Sequence, residues 1–96
     1  MITVNVRLFN LLVVYAGHRN RTFEVPDGTT IAQLIVRMAN DYPEPFKNIV
    51  LQDEKINPHL RIFLNSRLLN EGELDNRLVD GDSLMIFPAI AGGSII

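Results

Sequence analysis

Residues Thr29–Pro43 read TTIAQLIVRMANDYP, and they hold the strongest helical signal in the chain. Thr30 can accept from the backbone of Gln33 while the Gln33 side chain reaches back, the reciprocal arrangement of a capping box. Ile31, Leu34, Ile35, Met38 and Tyr42 recur at three- and four-residue spacings and so share one helix face, leaving Gln33, Arg37 and Asn40 for water. Pro43 stops the helix, because the residue before a proline resists the helical region. Everything around this segment reads as strand. Upstream, ITVNVRLF at Ile2–Phe9 alternates apolar with mostly polar residues, and Arg21–Val25 does the same. Pro26-Asp27-Gly28 ends that second strand. Downstream, Leu60–Asn65 resumes strand character, Asn65-Ser66 reads as a turn, and Arg67–Leu69 as a short return. Asp80-Gly81-Asp82 turns the chain into Ser83–Phe87, whose apolar residues fall on both faces, the pattern of a strand buried on more than one side near the sheet centre. Two segments carry weaker patterns: Asn10–Asn20 reads as a connection that partly packs down, and Glu44–His59, where Phe46, Ile49, Val50 and Leu51 could form a satellite helix or a loop pinned by apolar anchors, reads as irregular. One helix between the second and third strands predicts an α+β domain, a mixed four- to five-stranded sheet with one main helix on one face.

Composition narrows the function. Ninety-six residues make one domain, and 47% apolar residues fill its core without staples. The absence of cysteine excludes thiolate catalysis, zinc fingers and iron-sulfur ligation by this chain, and fits a reducing cytoplasm. A net charge of -2 offers no electrostatic footprint for a phosphate backbone, so nucleic acid is not the expected partner. Leu11–Gly17, the longest apolar run, is too short to cross a bilayer, and the N-terminus alternates like a strand rather than an export signal. No catalytic residues are expected: phosphate-binding glycine loops, paired histidines and nucleophile elbows are missing. His18 and His59 fall in polar links and read as solvated. Asp80 and Asp82 read as turn formers rather than a calcium loop. Glu71, Glu73 and Asp75 read as a solvated acidic edge. No metal site is expected.

The last stretch differs from the rest. Residues 1–88 read as the domain and 89–96 as a flexible tail carrying Gly92-Gly93. A pair of residues without side chains is what a narrow enzyme channel admits. The five residues from Ala89 to Gly93, at about 3.3 Å each, reach roughly 16 Å.

The run DGDSLMIFPAIAGG, with VNVRLF, VPDGTTIAQLI and MANDYPE, resembles the sulfur-carrier family typified by MoaD and ThiS, which are ubiquitin-like β-grasp proteins. The resemblance covers nearly the whole chain up to Gly93. It implies that Gly93 is the residue adenylated by a ubiquitin-activating-like adenylyltransferase, with ATP and magnesium used by that partner, and then converted to a thiocarboxylate. Ile90, Ala91 and Gly92 would lie in the partner's channel, with Ile90 as an apolar anchor. The thiocarboxylate would donate sulfur to an accepting synthase, molybdopterin or tungstopterin biosynthesis first and a cysteine-type pathway next. Ser94-Ile95-Ile96 departs from the family pattern, since it locks the Gly93 carbonyl in an amide. A deubiquitinase-like metalloprotease cutting between Gly93 and Ser94 is the expected remedy. Two other outcomes stay open: a modifier joined to lysines through Gly93, and an untrimmed interaction module using Ile95 and Ile96.

Overall fold

The computed structural model describes residues 1–88. Strand β1 (Ile2–Leu8) buries Val4, Val6 and Leu8 on one face, as its alternation demands. The chain then forms a short helix, α1 (Leu11–Ala16), where a connection was expected. Six residues give too few turns for a periodic signal; Leu12, fully buried, anchors the segment, and Gly17 ends it at φ 83°. Strand β2 (Asn20–Val25) returns antiparallel to β1, with Ile2 opposite Val25 and Arg7 opposite Asn20.

Helix α2 (Ile31–Asp41) follows with its capping box in place: the Gln33 N–H donates to Thr30 Oγ1 at 3.1 Å and the Thr30 N–H to Gln33 Oε1 at 2.9 Å. Ile31, Leu34, Ile35 and Met38 are fully buried beneath it. The segment expected to be irregular is instead a third helix, α3 (Glu44–Val50), and a small hairpin of β3 (Leu51–Gln52) and β4 (Lys55–Ile56). Pro43 ends α2, as expected, and with Pro45 it sits where the first turn of α3 has no hydrogen bond to lose. Phe46 and Val50, four apart, are both fully buried.

Strands β5 (Arg61–Leu64) and β6 (Arg67–Leu68) form a second hairpin, a 3-10 turn occupies Glu71–Glu73, and β7 (Ser83–Phe87) closes the domain. Both hairpins turn on residue pairs with positive φ, Asp53-Glu54 and Asn65-Ser66. The sheet runs β2-β1-β7-β5-β6, with β1 and β7 parallel and the other pairs antiparallel. The final strand is thus central, as expected. All three helices contribute to the single core on one face of this sheet.

Candidate functional site

The predicted functional residues Ile90, Ala91, Gly92, Gly93 and Ser94 lie outside the described residues. The structure places their point of departure. β7 delivers the chain through buried Pro88 at the end of the central strand, beside the C-terminal end of β1 and the N-terminal end of β5.

The strand register also assembles a group of side chains there that sequence reading did not bring together. Leu84 and Ile86 point into the core, so Met85 and Phe87 occupy the opposite face. Phe63 lies opposite Met85, Leu68 lies opposite Phe63, and Phe9 continues the same face one residue beyond β1. The Phe9 and Phe87 rings stack at 4.0 Å with 11° between their planes, and Phe63 meets Phe87 edge-on at 5.6 Å. Met85 and Phe87 are only half-buried and Leu68 is 46% exposed. β7 was expected to be buried on more than one side; among the described residues no layer covers this second face. The pattern that signalled double burial therefore marks an open apolar face, and that is the signal by which it could have been found.

The rim is cationic and polar. Arg61 stands opposite Phe87. Arg7, next along β1, donates from Nε to Asn20 Oδ1 at 3.1 Å. A shallow depression of about 360 Å³ continues the face towards β2, lined by Asn5, Arg7, Asn20, Thr22, Ser83 and Met85. The opposite margin is pinned by an ion pair, Arg67 to Glu73 at 2.6 Å. The Arg67 hydrogen bond, helped by the Asn70 N–H, holds the Glu73 carboxyl below its usual range, and Glu73 in return raises Arg67. Glu73 is thus not part of a uniform solvated edge: it is half-buried and engaged, whereas Glu71 and Asp75 are exposed.

Asp80 and Asp82 are turn residues, as expected, and they hold β7 in place. Asp80 Oδ1 accepts from the Thr3 N–H at 2.7 Å. Asp82, 6% exposed, accepts from the Val79 N–H at 2.8 Å and from Asn65 Nδ2 at 2.9 Å. Among the described residues no group of three or more acidic or histidine side chains could hold a metal. His59 is exposed, as expected. His18 is not: it is half-buried, with Nε2 2.7 Å from the Tyr42 hydroxyl, which also accepts from Arg21 at 3.2 Å, while Nδ1 is buried without a partner. The hydroxyl ties the loop before β2 to the end of α2, because Tyr42 caps that helix and packs on Phe46 at 4.7 Å.

A β-grasp sheet with its C-terminus leaving from the central strand invites comparison with known carriers, and the model of the ThiS family matches residues 6–93. The chain belongs to the ThiS family. ThiS-family proteins are ubiquitin-like sulfur carriers and modifiers, and the relatives of this chain bear such names. Small archaeal modifier protein 3 of Haloferax volcanii is 23% identical over 94% of this chain and 98% of its own. A protein of Archaeoglobus fulgidus named as a candidate sulfur carrier is 31% identical over 67% of this chain and 74% of its own. A chain of the BexX/CysO complex of Amycolatopsis orientalis is 25% identical over 94% of this chain and 99% of its own, with a TM-score of 0.67. This ThiS-family chain is a carrier or modifier acted on by other proteins rather than an enzyme. No helix among its described residues is long and apolar enough to cross a membrane.

Proposed function

We propose that this chain is a cytoplasmic sulfur carrier whose working end is Gly93, exposed when Ser94-Ile95-Ile96 is removed. The observation that carries the reading is the extent of the family match, which runs through the double glycine and stops on residue 93, leaving the three extra residues outside. A carboxylate is a poor electrophile. An adenylating partner using ATP and magnesium supplies a leaving group, and a sulfur nucleophile then attacks the acyl carbon and expels AMP. The product thiocarboxylate delivers sulfur to a synthase, with molybdopterin or tungstopterin formation the first recipient and another sulfur-requiring pathway the next. Cysteine on the carrier is unnecessary, in keeping with its absence. The open face of Phe9, Phe63, Leu68, Met85 and Phe87 docks the partner, and Ile90, Ala91 and Gly92 thread its channel.

A second reading rests on the relative that covers nearly all of this chain and is named a modifier. In it a lysine amine, not sulfur, attacks the same adenylate.

The test compares the full chain with one ending at Gly93, each incubated with ATP, magnesium and the ubiquitin-activating-like enzyme of the source organism. AMP and pyrophosphate form only with the shortened chain. Equal reaction of both chains removes the need for trimming by a deubiquitinase-like metalloprotease, and reaction of neither removes the proposal.

A further inference from the structure

We propose that Arg7, with Asn5, Asn20 and Ser83 around it, forms a carboxylate-binding site on the open sheet face, and that the activating enzyme fills it with an Asp or Glu side chain. The inference rests on the docking of that enzyme in the function proposed above and goes beyond it by naming the polar contact that aligns the two proteins.

Strand register builds the site. Arg7 stands opposite Asn20 on β2 and Met85 on β7, while Asn5 stands opposite Thr22 and Ser83. Directly opposed residues share a face about 5 Å apart. Six side chains from three strands therefore form one patch, the lining of the shallow depression of about 360 Å³.

Within this patch the amide oxygens are already taken. Asn20 Oδ1 accepts from Arg7 Nε at 3.1 Å, and Asn5 Oδ1 accepts from the Thr22 hydroxyl at 3.0 Å. Each amide thus has its Nδ2 donor left over, Arg7 keeps both Nη groups, and Ser83 adds a hydroxyl. What remains is a set of donors around one cation. The two Nη groups form the fork that holds both oxygens of a carboxylate. Because Asn20 already holds Nε, Arg7 gives up less rotamer freedom when that fork is filled. A single guanidinium balances the single charge of a carboxylate, whereas a phosphate brings nearly two.

Charge decides what covers the face. Neither Arg7 nor Arg61, the two cations flanking the apolar patch, forms an ion pair among the described residues. The strand carboxylate on this face is Glu24, opposite Thr3 at the other end of β1. A second copy docked by the same face would lay cations against cations around the aromatic rings, so the charge pattern opposes self-pairing and favours a partner bearing carboxylates. Met85 belongs both to the depression and to the apolar patch, so the two surfaces are continuous. Apolar contact is non-directional. A two-pronged ion pair at its edge fixes the rotation of the partner about β7, and with it the direction in which the chain arrives from Pro88.

The experiment measures calorimetric affinity of the chain ending at Gly93, the proposed working form, for the activating enzyme of the source organism. Arg7→Gln should weaken binding by roughly tenfold or more. Arg7→Lys, which keeps the charge but loses the fork, should weaken it by roughly threefold or more. Both should leave the thermal midpoint within about 2 °C of the wild type, as exposed positions do. Arg7→Glu should bind most weakly, and one Asp→Arg or Glu→Arg change on the enzyme should restore its binding while weakening that of the wild type. Wild-type affinity in Arg7→Gln or Arg7→Lys, or no enzyme variant that restores Arg7→Glu, overturns the inference. If Leu68→Ser weakens binding and Arg7→Gln does not, the docking face stands and the carboxylate site falls. If neither weakens it, both fall, so the two failures are distinguishable.

Discussion

Truncating Asp82 to alanine should cost this fold more than any other change at a turn. Its carboxylate is 6% exposed and accepts from the Val79 N–H at 2.8 Å and Asn65 Nδ2 at 2.9 Å. Asn65 in turn accepts from the Ser83 N–H at 3.0 Å, so one side chain ties the entry of β7 to the β5–β6 turn. Hydrogen bonds to a charged acceptor contribute about 1.5–3 kcal/mol each, and two sharing one carboxylate are not additive. Asp82→Ala should therefore lose about 3 kcal/mol, a fifth to more than half of the roughly 5–15 kcal/mol that holds a domain together. In urea, with a slope of about 1–2 kcal/mol/M, the midpoint should fall by roughly 1.5–3 M at unchanged slope. Asp82→Asn, which keeps one acceptor oxygen, should lose about half as much. A midpoint shift under about 0.5 M for the alanine variant would refute the reasoning, because it would mean that water replaces both bonds without penalty.

Other outcomes follow from single features. Leu68→Ser, at a nearly half-exposed position on the apolar face, should change stability by less than about 1 kcal/mol yet weaken calorimetric affinity for the activating enzyme at least tenfold; unchanged affinity would remove the docking role of that face. Glu54→Gly relieves a side chain held at φ 65° and should raise stability by about 0.5–1 kcal/mol, read as a thermal midpoint several degrees higher. Glu73 has its carboxyl lowered by Arg67, so the stability it lends is full above the ordinary glutamate value of about 4.3 and is lost as pH falls through its depressed folded value. Acid titration should thus loosen the β5–β6 hairpin below about pH 4, and in Arg67→Ala that acid step should shrink; an identical acid profile in the variant would contradict the pairing.

Where repetition was long enough, the fold was legible. The α2 stripe spans three turns and the β1 alternation seven residues, and each appears where the pattern put it. The two short helices were missed for one physical reason: α1 and α3 are six and seven residues long, so their helicity comes from burial of Leu12, Phe46 and Val50 against distant parts of the chain rather than from local period. Pro43 ends α2, as read, and still opens α3, because a proline's missing N–H costs nothing before the hydrogen-bonded turns begin. His18 read as solvated since nothing local reveals that Tyr42, 24 residues away, supplies its partner.

The proposed working end and the open face differ in how far the chain alone reveals them. Gly92-Gly93, the end that the proposal uses, is a contiguous pair readable without a fold. The open face at the end of β7 draws on Phe63, Leu68, Met85 and Phe87 from three strands and on Phe9 just beyond β1, and each residue alone passes for core. Only register distinguishes them: β7 puts Leu84 and Ile86 under the helices and, by the same two-residue repeat, Met85 and Phe87 on the side where the described chain supplies no cover. A central strand apolar on both faces, in a sheet with helices on one, leaves its second face without cover among the described residues. Because the chain leaves that strand at Phe87-Pro88, a partner docked there as proposed would already be positioned to receive what comes after it.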